Sequence, residues 1–100
     1  MEQLQKIFSR NLRRKPQEPN KSKVILHNDD ITTFDFVIRM LVEIFFFDEP
    51  DAARLAQTVD QEGQALVGIY PRDIAQSKAQ AGIAMARAEN FPLRITTEDA

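Results

Sequence analysis

KVILHNDDITTFDFVIRMLVEIFFF, residues 23–47, contains the change of period that decides the fold. Its first five residues, KVILH, hold the β-branched Val24 and Ile25 and the apolar Leu26, a short run that reads as a mostly buried strand. Asn28, Asp29 and Asp30 end that strand in a polar turn, because short Asx side chains bond to nearby backbone N–H groups. Beyond the turn, Phe34, Val37, Ile38, Leu41, Val42 and Phe45 recur at i, i+3, i+4 and i+7, the spacing of a helix with one buried stripe. Thr32 is the expected N-cap, and Asp35 three residues later suits the positive end of the helix dipole. Phe36, Met40, Phe46 and Phe47 widen the stripe, so the helix is expected to be covered on more than one side and to stop near Phe47.

The pattern continues outward from this stretch. Asp48 is placed to cap a second helix, with Pro50 tolerated in its first turn. Ala52, Leu55, Ala56 and Val59 give that helix a narrow apolar face, and Gly63 ends it. Residues 65–70, ALVGIY, read as a second strand, in which Gly68 marks a close approach. Residues 72–89 form an Ala-rich third helix, with Ile74, Ala81, Met85 and Ala88 expected on its packed face. Asn90, Phe91 and Pro92 stop it, and residues 93–96 form a last strand. The order is β-α-α-β-α-β, an α+β domain with helices against a small sheet.

Length and composition bound what such a chain can do. A total of 100 residues, 43% of them hydrophobic, suits a single small domain with its own core and excludes large multidomain enzymes. The absence of cysteine excludes a disulfide framework, a thiolate nucleophile and a cysteine zinc site. No run of 18 apolar residues appears, so no membrane-spanning segment is expected. Charge is unevenly distributed: seven Lys or Arg stand against two Glu in residues 1–23, and six against thirteen Asp or Glu in residues 24–100. An acidic body repels phosphates, so no nucleic-acid partner is expected. Residues 1–21 read as a flexible basic N-terminal extension, and residues 22–100 as the core domain. Leu4, Ile7, Phe8 and Leu12 fall near helical spacing in the extension, with Pro16, Pro19 and Asn20 marking a linker. No uninterrupted apolar stretch there resembles a secretory signal.

Catalytic chemistry finds little to work with. His27 is the single histidine, and a metal site made with Asp29 and Asp60 has only that one histidine to recommend it. There is no Ser-His-Asp spacing and no glycine-rich phosphate loop. No enzyme activity, cofactor or metal is expected. The turn offers a different chemistry. Asn28, Asp29 and Asp30 lie beside Phe34 and Val37, and Val59 and Asp60 at another helix end could meet them. Carboxylates and an amide can hold an ammonium group, with apolar walls beside them for one hydrophobic side chain. A turn that only caps a helix explains the same residues equally well.

KVILHNDD followed by ITTFDFVIRML resembles the start of the ClpS family, adaptors of the ATP-dependent Clp protease. VDQEGQALVGIYPRDIAQSKA and AENFPLRITTE resemble its later segments, so the likeness runs from Lys23 to about Thr97. The resemblance implies a fold of three helices packed with an antiparallel three-stranded sheet. It implies an adaptor that binds substrates with a free N-terminal Leu, Phe, Tyr or Trp and hands them to the Clp unfoldase. By position, Asn28 and Asp29 match the residues that engage the α-amino group, and Asp30 and Thr32 match the pocket rim and the neighbouring cap. Phe34, Val37, Val59 and Leu93 match the pocket lining. Asp73 and Lys78 match the surface that faces the N-terminal domain of the Clp AAA+ unfoldase. The resemblance further implies a cytoplasmic protein, and nothing demands more than a monomer.

Four positions depart from the family pattern. Thr33 replaces a proline and Phe34 a methionine. Ala56 replaces a methionine that screens against β-branched side chains. Asp60 replaces a histidine that contacts the α-amino group. A Clp unfoldase-docking regulator without N-degron binding is the alternative these departures leave open. The scaffold also resembles the C-terminal domain of the ribosomal stalk protein, but the Asn-Asp-Asp turn argues against that role.

Overall fold

The computed structural model describes residues 20–100; the basic extension expected over residues 1–21 therefore lies almost wholly outside the described residues. Six elements follow one another: β1 (Lys21–His27), α1 (Phe34–Phe45), α2 (Glu49–Glu62), β2 (Gln64–Pro71), α3 (Arg72–Ala88) and β3 (Arg94–Asp99). The strands form one sheet in the order β2-β1-β3, and β1 is antiparallel to both neighbours. The first strand is thus central, which is why it buries Ser22, Val24 and Leu26 on one face. It also starts two residues earlier than expected, because Lys21 and Ser22 pair with Pro71 and Tyr70 of β2. A bulge between Val24 and Ile25 shifts the register with β2.

Helix α3 packs across the inner face of all three strands, and α1 packs on α3. Helix α2 leans on α1 and β2. The core joins Val24 and Leu26 of the sheet to Phe36, Met40 and Leu41 of α1, with Leu93 and Ile95 closing one end. Both caps of α2 follow local rules: the Asp48 side chain accepts from Asp51 N, and Gly63 ends the helix at φ 90°.

Four sequence expectations need correction. The N-cap of α1 is Thr33, whose Oγ1 accepts from Phe36 N at 3.2 Å, and not Thr32, whose own groups are bound to Asp29. Helix α1 stops at Phe45, because Phe46 turns into the left-handed region at φ 60°. Its fully buried positions are Phe36, Met40 and Leu41, while Phe34 at the first turn is 47% exposed. The face of α3 is also different. Ala75, Ala79, Gly82 and Ala86 are buried, whereas Ile74, Ala81 and Ala88 are exposed. The sheet approaches so closely that the smallest side chains are selected for contact. A Cβ on Gly82 would stand 2.7 Å from Ile95 Cδ1. At Gly68 the expected close approach is made by a side chain, with the Tyr70 hydroxyl 2.9 Å from where a Cβ would lie.

Candidate functional site

A backbone hydrogen bond sets up the site. Asn28 N donates to Gly63 O at 2.9 Å, tying the end of β1 to the end of α2. Residues more than thirty positions apart in sequence therefore share one cavity of about 310 Å³. The β1–α1 loop brings Asn28, Asp29, Asp30 and Thr32 to it, and the start of α1 brings Phe34 and Val37. Helix α2 adds Ala56, Val59 and Asp60, and the α3–β3 loop adds Leu93. All ten peptide-site positions expected from the sequence line this one cavity. His27 lines it too.

The cavity is polar at its mouth and apolar at its base. Val37, Ala56, Val59 and Leu93 are buried, while Asn28, Asp30, Phe34 and Asp60 are exposed. Asp29 is the organiser of the loop. Its Oδ1 accepts from Ile31 N at 2.8 Å and from Thr32 N at 2.7 Å, and its Oδ2 accepts from the Thr32 hydroxyl at 2.8 Å. Burial works to raise its pKa, but the hydrogen bonds from Thr32 and Ile31, with help from the Arg87 charge, outweigh it and hold the carboxyl below its ordinary value. Asp29 is therefore a carboxylate with most of its acceptor capacity already used. The side chains of Asn28, Asp30 and Asp60 make no hydrogen bond among the described residues, and so leave free acceptors at the mouth of the cavity.

His27 Nε2 is 2.8 Å from Thr96 Oγ1. Burial lowers its pKa, and Arg94 lowers it further against a smaller opposing effect of Glu98. Among the described residues, no group of three or more His, Cys, Asp or Glu side chains is placed to hold a metal ion. The His27, Asp29 and Asp60 combination thus gains no support as a metal site.

One supporting residue was not singled out in the sequence. Arg87 Nη1 donates to Phe91 O at 2.8 Å and to Leu93 O at 2.9 Å, fixing the loop that carries Leu93. A basic residue in the last turn of a helix was the only sequence signal for it.

Asp73 and Lys78 both lie on α3, and neither lines the cavity. Asp73 lies in the exposed first turn of α3 and lines a shallow hollow with Ser77, Ile95 and Thr97. Lys78 Nζ donates to Ile44 O at 2.8 Å and stands 4.4 Å from the centre of the Phe46 ring. A wider groove of about 710 Å³ runs between α1 and α2 along Ile38, Val42 and Pro50, and contains none of the expected site residues.

The cavity of this small α+β scaffold thus joins an acidic mouth to an apolar base. The profile of the family described as "ATP-dependent Clp protease adaptor protein ClpS" matches residues 17–96. A ClpS adapter protein of Nautilia profundicola is 46% identical over 81 residues, which is 81% of this chain and 84% of that protein. One from Oleidesulfovibrio alaskensis is 39% identical over 83 residues, covering 83% of this chain and 80% of that protein. Among solved structures, "The structure of Agrobacterium tumefaciens ClpS2 bound to L-phenylalaninamide" aligns with a TM-score of 0.80 at 36% identity, covering 83% of this chain and 100% of that one. The chain belongs to the ClpS family of Clp protease adaptors. It is an adaptor and not an enzyme. Among the described residues, no helix is long and apolar enough to cross a membrane.

Proposed function

We propose that this chain captures proteins whose first residue is an unblocked Leu, Phe, Tyr or Trp and delivers them to the Clp unfoldase–protease in the cytoplasm. The observation that carries this reading is the pairing of unused acceptors on Asn28, Asp30 and Asp60 with the buried base of Val37, Ala56, Val59 and Leu93 in one cavity. An α-ammonium brings three N–H donors and a positive charge to the mouth. Asp29 contributes charge and holds the loop, while its neighbours supply the free acceptors. The first side chain enters the base of the cavity, with Phe34 as its lip. The ligand named for the Agrobacterium ClpS2 structure, L-phenylalaninamide, has the same pairing of a free amine with an apolar side chain.

Ala56 and Asp60 give the cavity its own character. The small Ala56 side chain widens the base, and Phe34 refills part of the opening. Asp60 attracts an ammonium more strongly than a neutral imidazole does, at the cost of crowding carboxylates. Large aromatic first residues are therefore retained, and a small one leaves apolar volume unfilled. Delivery uses a second surface around Lys78 and Asp73, and the basic extension acts with it. The protein works as a monomer.

The test is a titration with short peptides that differ only at residue one, each with an acetylated control. Amine-dependent binding of Phe, Tyr, Trp or Leu peptides is expected. Binding that survives acetylation overturns the amine-pocket reading. Binding of none, with docking to the unfoldase intact, leaves the docking regulator in its place. Deleting residues 1–14 is expected to spare peptide binding and slow delivery.

A further inference from the structure

Phe46 is placed against every local preference. It occupies the left-handed position that follows a helix, where glycine or asparagine is favoured because a Cβ is strained there. Its side chain is 78% exposed, so little packing offsets that strain. The ring is nonetheless oriented. The Lys78 ammonium lies 4.4 Å from its centroid, and that ammonium is itself anchored by Ile44 O at 2.8 Å. Ile74, one helical turn before Lys78 on α3, is a further exposed apolar side chain at 43%. The result is a pre-positioned phenyl ring with a cation behind it, the kind of rigid aromatic anchor on which interfaces concentrate their energy.

We infer that Phe46, backed by Lys78 and flanked by Ile74, is the anchor by which this adaptor docks on the N-terminal domain of the Clp unfoldase. The inference rests on the proposal that Lys78 faces the unfoldase, and it deepens that proposal by moving the centre of the contact from the charge to the ring. Continuity supports this occupant, since Phe46 and Lys78 are in direct contact. Position supports it too. The peptide cavity takes its Phe34 and Val37 from the first turn of α1, and Phe46 follows the last. Twelve helical residues separate the two sites by about 18 Å, so peptide and unfoldase can be held at once. The matching surface is an apolar cup that admits a phenyl ring, with a carboxylate at its rim for the remaining Lys78 N–H groups.

The experiment compares Phe46→Gly, Phe46→Tyr and Lys78→Glu with the parent chain. Binding to the isolated N-terminal domain of the Clp unfoldase is measured well below every unfolding midpoint. Phe46→Gly is expected to raise or preserve the melting temperature, leave binding of a Phe-starting peptide unchanged, and weaken docking at least tenfold. Phe46→Tyr keeps the ring and is expected to dock within about threefold of the parent. Full docking by Phe46→Gly with loss in Lys78→Glu overturns the anchor and leaves the Lys78 surface standing. Full docking by both overturns the Lys78 reading itself. A Phe46-dependent dimer in sedimentation, without an effect on docking, also overturns the inference, because the ring then serves a second copy.

Discussion

Arg87 and Leu93 are joined through the backbone: the guanidinium grips the carbonyls on either side of Pro92, at 2.8 Å for Phe91 and 2.9 Å for Leu93. Leu93 itself is only 2% exposed and forms part of the cavity base. An α3 side chain therefore sets the position of a wall that belongs to another segment. Phe91 is held from a second side by the ring of Phe36, with centroids 5.2 Å apart.

Arg87→Ala removes donors from two carbonyls, one of them part-buried, and is expected to cost about 1–3 kcal/mol of stability. Leu93 then loses its fixed position, and binding of Phe-starting peptides weakens. Denaturant unfolding and peptide titration check both effects. Unchanged stability together with unchanged affinity would show that Pro92 and the core hold the loop without Arg87.

Asp29 ties acid stability to the loop. Its carboxyl titrates below the ordinary value of 3.8 in the folded chain, so the folded state binds fewer protons than the unfolded one in that range. The stabilisation is fully present above the unfolded pKa and is lost as pH falls through the folded pKa. Asp29→Asn is expected to flatten the stability profile below about pH 4. Asp29→Ala should also weaken amine-bearing peptides by a few kcal/mol, since the loop loses its organiser and the mouth loses a charge. An acid limb of equal slope in parent and Asp29→Asn chains would contradict the linkage.

His27 acts in a different window with the same sign. Its folded pKa lies below 6.5, so between that value and the folded pKa the unfolded state holds more protons. Stability is complete above pH 6.5 and declines as pH falls through the folded pKa. His27→Gln is expected to remove this decline while leaving the one below about pH 4. Melting temperatures measured from pH 7.5 to 4.5 separate the two groups, and an identical profile in the variant would remove His27 from the account.

Ala56→Met tests the width of the cavity. Ala56 is 3% exposed at the base, so the longer side chain enters space open to a ligand. The choice of first residue is expected to narrow, with β-branched residues losing most. A stability cost of up to about 3 kcal/mol accompanies any part of the side chain that lodges in the core instead. The same ranking of first residues in both chains would sink the steric argument.

Local rules were legible in the residues themselves. Asp48 before Pro50 starts a helix and Gly63 ends it, because caps depend on atoms within a few positions. The alternation in β1 and the Asx turn at Asp29 are equally local. The likeness to a known family also drew together ten cavity positions that spacing alone could not. Tertiary structure decided the rest. Periodicity assigned α3 the face of Ile74, Ala81, Met85 and Ala88, yet the buried face carries Ala75, Ala79, Gly82 and Ala86. Which face packs depends on how near the sheet comes, and that distance is a property of two elements together. Thr32 and Thr33 offer the same hydroxyl, and only the partner already taken by Asp29 makes Thr33 the cap. The grip of Arg87 on Leu93, and the bond from Asn28 to Gly63 that brings Asp60 beside the turn, join residues through backbone atoms. Backbone atoms are alike in every residue, so neither contact is written in residue type, and only the folded chain selects them.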